Sequence, residues 1–124
     1  MEAALFLGLR TIVYPAADLA ASTRWYTGVL GRGPYFSEDY YVGFDVGGYE
    51  LALQPVELLG RHPVTYWGVA DVDTALSGLL AQGAASRSGV REVGGGIRVA
   101  TVLDPQGSVL GLIENPHFRA GGEP

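Results

Sequence analysis

Two histidines, His62 and His117, and one glutamate set in an apolar run, Glu50 in Tyr49-Glu50-Leu51-Ala52-Leu53, are the side chains best suited to acid–base chemistry here. Tyrosines at positions 35, 40, 41, 49 and 66 add phenols that can donate hydrogen bonds or stack on a ligand. What is missing narrows the options further. All 8 basic residues are arginine, so no lysine can form a Schiff base or act as a base. Cysteine is absent as well, which removes thiolate nucleophiles, disulfides, zinc–thiolate sites and iron–sulfur clusters.

His62 lies among Gly60, Arg61 and Pro63 and reads as an exposed linker residue; His117 follows Asn115-Pro116 and reads as a surface residue. Glu50 is therefore the base candidate. Nucleic-acid binding is not expected: 13 acidic residues against 8 basic ones give a formal charge of −5, which repels a phosphate backbone and would assist the approach of a cationic ligand instead. No apolar run approaches the ~20 residues of a membrane span, and Met1 to Leu9 lacks a cationic leader, so no membrane partner and a cytoplasmic location are expected.

The elements that must position these side chains follow from periodicity. With 124 residues, 48% hydrophobic and 17% charged, the chain is expected to be a single domain, 1–124, with enough apolar surface for one core. Leu9 to Tyr14 reads as a strand, and Asp18 is placed to cap a helix. Leu19, Tyr26, Val29 and Leu30 give that helix its apolar stripe, Trp25 and Tyr26 read as core aromatics, and Gly31 stops it. Three strands follow, Pro34 to Phe36, Tyr40 to Val46 and Tyr49 to Gln54, the last two joined as a hairpin by Gly47-Gly48.

The same order then repeats. Pro63 to Val69 reads as a strand, and Asp71 opens a helix whose buried stripe is Val72, Ala75, Leu79 and Leu80, ended by Gly83. Strands are expected at Ala85 to Ser88, Ile97 to Leu103 and Ser108 to Ile113, with Asp104-Pro105-Gln106-Gly107 as the turn between the last two. Ala17-Asp18 and Ala70-Asp71 mark equivalent points 53 residues apart. The expected class is α+β, a tandem βαβββ repeat with modules at 5–57 and 63–116 and a tail at 117–124.

The segments Leu9-Arg10-Thr11-Ile12-Val13-Tyr14-Pro15, Asp18-Leu19, Trp25-Tyr26-Thr27 and Val29-Leu30-Gly31, with Val69-Ala70-Asp71-Val72-Asp73 and Asp104-Pro105-Gln106-Gly107-Ser108-Val109-Leu110-Gly111-Leu112, resemble the vicinal oxygen chelate superfamily. That superfamily includes glyoxalase I, bleomycin-resistance proteins, fosfomycin-resistance enzymes and extradiol dioxygenases. The resemblance implies a concave mixed β-sheet pocket and a homodimer. It also implies four metal-ligand positions, which fall on Thr11, Ala52, Val64 and Gly111. None of the four is an ordinary metal ligand, so no metal and no other cofactor are expected.

By strand alternation the pocket face would carry Thr11, Val13, Glu50, Ala52, Gln54, Val64, Tyr66, Val109, Gly111 and Ile113. Ile12, Leu51, Leu53, Trp67, Leu110 and Leu112 would face the helices. The ligand-binding candidates are Thr11, Tyr40, Phe44, Glu50, Gln54, Tyr66 and Arg98, with Glu50 as the catalytic candidate. An apolar pocket with aromatic walls suits a small aromatic or cationic molecule, bound or sequestered without metal as in the bleomycin-resistance branch. The alternative is a metal-free isomerase-, lyase- or cyclase-like enzyme in which a pocket glutamate or tyrosine moves a proton; a metal-dependent lyase or dioxygenase ranks below both, and a module that serves only assembly or regulation also stays open.

Overall fold

The computed structural model describes residues 6–118. The expected tail therefore lies outside the described residues from position 119 on. Eight strands and three helices follow in the order β1 (Gly8–Ala16), α1 (Leu19–Leu30), β2 (Phe36–Glu38), β3 (Tyr41–Val46), β4 (Tyr49–Pro55), α2 (Val56–Leu59), β5 (Val64–Gly68), α3 (Val72–Ala81), β6 (Ala85–Glu92), β7 (Arg98–Leu103) and β8 (Val109–Glu114). The fold is α+β with the βαβββ order occurring twice. The chain divides into two compact units, one of Thr11–Val64 and the other of residues 6–10 with Thr65–Phe118, the boundary falling inside β1 after Arg10.

In the first unit the strands lie in the order β2-β3-β4-β1. β3 and β4 form an antiparallel hairpin in which Val46 faces Tyr49. Gly47 and Gly48 make the turn with φ of 63° and 89°, the left-handed pair that suits the twist of a tight hairpin. β1 then adds in parallel to β4, setting Thr11 beside Glu50 and Val13 beside Ala52. α1 is held at its start by Asp18, whose carboxylate accepts the Ala21 N–H, and ends at Gly31 with φ 76°.

Packing in this unit divides the sheet into two faces. Val42, Phe44 and Leu53 form a buried cluster with Tyr14, Leu19, Tyr26, Leu30 and Leu51 against it, so this is the face that α1 covers. Two expectations for α1 are corrected. Trp25 is 62% exposed and Val29 58% exposed. The stripe that reaches the sheet is Leu19, Tyr26 and Leu30; at ~100° per residue Val29 lies roughly 80° from its centre and Trp25 further still. Trp25 instead sets its ring edge-on to Tyr26 at 4.9 Å.

The second unit orders its strands β5-β8-β7-β6. β5 and β8 are parallel, with Tyr66 beside Gly111 and Trp67 beside Leu112. Val69, Val72, Ala75, Ala100 and Leu112 form the core with α3, and Phe6, Leu76, Leu79, Val90 and Leu110 pack around it. Trp67 joins this side by stacking on Phe6 at 4.8 Å. Leu80, expected in the buried stripe, is 40% exposed. Asp71 caps α3 by accepting from the Asp73 and Thr74 N–H groups, the counterpart of Asp18. The turn before β8 is built by Asp104, whose carboxylate accepts from the Gln106 and Ser108 N–H groups.

Three features along the chain depart from the sequence expectation. β2 occupies Phe36–Glu38 where Pro34 to Phe36 is expected. The short helix α2 follows β4 directly, and β6 continues to Glu92, beyond the expected end at Ser88. β6 pairs with β7 through register shifts between Ser86 and Ser88 and between Ser88 and Arg91, and those irregularities break the alternation by which a strand is recognised.

Candidate functional site

On the face of the first unit turned away from α1, Glu50 is the centre of a hydroxyl cluster. Its carboxylate accepts hydrogen bonds from Thr11 Oγ1 at 2.9 Å, Tyr41 Oη at 2.8 Å and Tyr35 Oη at 2.5 Å. Each donor comes from a different stretch of backbone. Thr11 is brought by parallel pairing of β1 with β4, Tyr41 by the antiparallel β3, and Tyr35 by the segment leading into β2, whose backbone N–H donates to the Gly43 carbonyl.

A gap in the sheet surface admits this cluster. Gly43 pairs with Ala52, and a Cβ on Gly43 would strike Glu50 Oε2 and lie 3.1 Å from the Tyr35 ring. Glycine in the middle of a strand is explained here by the close approach of two side chains. The Tyr35 phenol is held well above its ordinary pKa, first by desolvation, then by its hydrogen bond to Glu50 and by the negative charges of Glu50 and Asp45. Asp45 sits directly opposite Glu50 in the β3–β4 register and accepts the Gly48 N–H. Two carboxylates thus share one face, and among the described residues neither forms a salt bridge with an arginine or histidine.

The remaining sequence candidates divide clearly. Gln54 shares the Glu50 face by alternation along β4. Tyr40 is 52% exposed at the turn before β3, its ring set edge-on to Phe36. Tyr66 belongs to the second unit, where its ring lies over Gly111. Phe44 is corrected: it is 0% exposed and packs toward Tyr26 in the α1 core, because alternation in β3 turns Val42 and Phe44 to the helix and Tyr41 and Gly43 away from it. A ligand on the Glu50 face cannot touch it.

Arg98 is corrected in the same way. It pairs with Glu114 and shares the α3 side of its sheet with Ala100 and Leu112. There its guanidinium bonds Asp73 in the first turn of α3 at 2.9 Å and lies 3.6 Å from Glu114. The hydrogen bond to Asp73 raises the pKa of Arg98, followed by the charges around it. Glu114 also accepts the Val72 N–H, so this group anchors the start of α3.

The four positions implied for a metal hold Thr11, Ala52, Val64 and Gly111, of which only Thr11 has a polar side chain. Ala52, Val64 and Gly111 carry no donor atom, and the Thr11 hydroxyl is spent on Glu50. No group of three His, Cys, Asp or Glu side chains able to hold a metal ion occurs among the described residues. His62 is exposed in the bend before β5, and His117 is exposed with Nε2 2.8 Å from the Gly95 carbonyl.

Tyr35 and Tyr41 are the functional candidates whose role sequence reasoning left undetermined. The available signal was Gly43 itself, a residue without a side chain inside an aromatic strand and opposite the small Ala52.

The chain belongs to the Glyoxalase/Bleomycin resistance protein/Dioxygenase superfamily, whose family model matches residues 8–112. Solved structures agree in fold. A hypothetical protein from Bacillus halodurans is similar with a TM-score of 0.75 at 14% identity, over 90% of this chain and 96% of that one. Streptomyces coelicolor methylmalonyl-CoA epimerase, as a variant in complex with 2-nitronate-propionyl-CoA, gives a TM-score of 0.72 at 16% identity, over 93% and 99%. A superfamily member from Vibrio splendidus gives 0.65 at 17%, over 86% and 99%. No curated protein sequence matches the chain.

Proposed function

We propose that this protein binds a small cationic or aromatic molecule without a metal, with the Glu50 carboxylate as the anchor. The observation that carries this reading is the Glu50 carboxylate held by Thr11, Tyr35 and Tyr41 with no cationic partner among the described residues. Three hydroxyl donors fix its orientation without cancelling its charge, and Asp45 adds a second negative charge on the same face. Tyrosine rings beside the carboxylates offer faces on which a cation or planar group can stack. The three bonds take three of roughly four lone-pair directions of a carboxylate, leaving about one for a ligand N–H.

A second reading is favoured by the direct hydrogen bond that the Tyr35 hydroxyl donates to Glu50. In that reading the pair passes a proton to and from a bound substrate, a metal-free isomerase-type reaction. Epimerases among the proteins of similar fold are consistent with it but carry only the fold. The two readings separate on one experiment. If Glu50 anchors a ligand, incubated ligands are recovered unchanged and Glu50→Gln weakens binding; if it transfers protons, candidate substrates are converted and Tyr35→Phe slows conversion while binding persists. Unchanged affinity in Glu50→Gln refutes the anchor.

We further propose that the protein is a cytoplasmic homodimer, as superfamily members commonly pair, with repeat modules at 5–57 and 63–116. Among the described residues no helix is long and apolar enough to cross a membrane.

A further inference from the structure

The second unit carries its own polar cluster, built of different chemistry. We infer that Arg87 and Arg91, with the hydroxyls of Ser88, Thr101 and Tyr66, form an oxyanion-binding subsite on the face of β5-β8-β7-β6 turned away from α3.

The irregular pairing of β6 is what assembles it. In a regular strand Arg87 and Ser88 would point to opposite faces. Here the register shift between Ser86 and Ser88 lets both reach the same atom: Arg87 Nη1 donates to Thr101 Oγ1 at 3.3 Å, and Ser88 Oγ lies 2.7 Å from that same Oγ1. The next shift, between Ser88 and Arg91, sets Arg91 opposite Val99, which is on the Thr101 side of β7. Thr101 pairs with Gly111, away from the Ala100 and Leu112 that pack on α3.

Gly111 makes the floor. A Cβ there would lie 2.5 Å from Tyr66 Cδ2, so the absent side chain leaves room for the phenol ring on this face. Burial raises the pKa of Tyr66, and the positive charges of Arg91 and Arg87 act against that rise. Both arginines are exposed, and among the described residues neither pairs with a carboxylate. In an acidic chain, two arginines left without acidic partners offer charge-assisted, multidentate donors to a carboxylate or phosphate oxygen beside the Tyr66 phenol, while the mutual bond of Ser88 and Thr101 takes up one of their two hydroxyl protons and braces Arg87. The inference concerns residues other than those of the Glu50 cluster and does not rest on that reading.

The test follows the arginine Nε–Hε signals by NMR while the intact protein is titrated with inorganic phosphate and, separately, with acetate, at constant ionic strength. Arg87 and Arg91 should shift together and saturate with one dissociation constant, and Arg87→Gln with Arg91→Gln should weaken that binding at least about tenfold. Saturation by phosphate alone assigns a phosphate group, and saturation by acetate alone assigns a carboxylate. Non-saturating shifts, or shifts no larger than those of the exposed Arg24, overturn the inference. Should the double variant unfold, Arg87→Lys with Arg91→Lys keeps the charge but loses the planar fork, and unchanged affinity there also overturns it.

Discussion

Glu50 and Gly43 behave as one unit, because the space that glycine leaves is filled by the Glu50 carboxylate and the Tyr35 ring. Gly43→Ala should destabilise the protein by about 1–3 kcal/mol, the usual range for forcing atoms into an occupied site. In a Glu50→Ala background part of that cost should disappear, and a double-mutant cycle measured by denaturant unfolding checks the coupling. Phenol ionisation gives a separate residue-level prediction. The native fold holds the Tyr35 pKa up, so its protonated form is favoured by folding. That stabilisation is fully present below the ordinary tyrosine pKa of about 10 and is lost as pH rises through the higher folded value. Spectrophotometric titration should therefore show one fewer late-titrating phenol in Tyr35→Phe. The position of Glu50 on an apolar-flanked strand was readable from sequence, but its three donors were not. Tyr35 and Tyr41 reach it only through the β3–β4 register and the entry to β2, contacts spanning 15 and 9 residues that local periodicity does not encode.

At the scale of elements, the repeat was legible because Asp18 and Asp71 do the same work at the start of α1 and α3. Replacing either by alanine should cost about 0.5–2 kcal/mol, read as a shift in the unfolding midpoint. The turns were also legible, since Gly47-Gly48 and Asp104 to Gly107 carry their own signals. What sequence could not give was the direction of individual side chains where two faces are both apolar. Phe44 and Arg98 went to the helix side for that reason. Phe44→Ala should accordingly cost about 3–5 kcal/mol of stability, while the milder Phe44→Leu leaves ligand affinity unchanged. Arg98→Gln should likewise leave ligand affinity unchanged, and loosening of α3 should show as faster amide exchange in its first turn. The far half of β6 was hidden by its register shifts, the same irregularity that turns Arg87 and Ser88 to one face.

Across the molecule, superfamily membership was legible from short motifs in the right order, and the family match over residues 8–112 agrees with them. Function was less legible, because one fold supports both metal-assisted chemistry and binding, and the choice rests on a few side chains. Ala52, Val64 and Gly111 hold no donor atoms, and Thr11 is engaged by Glu50. Removing divalent ions should therefore leave the thermal unfolding midpoint unchanged. The most direct measurement is calorimetric titration with phenyltrimethylammonium, a probe that is both cationic and aromatic, in the presence of a chelator. Saturable binding that falls at least about tenfold in Glu50→Gln is expected, as removal of a close charge partner should give. Affinity that survives Glu50→Gln, or that requires a stoichiometric divalent ion, would contradict a metal-free site anchored on Glu50.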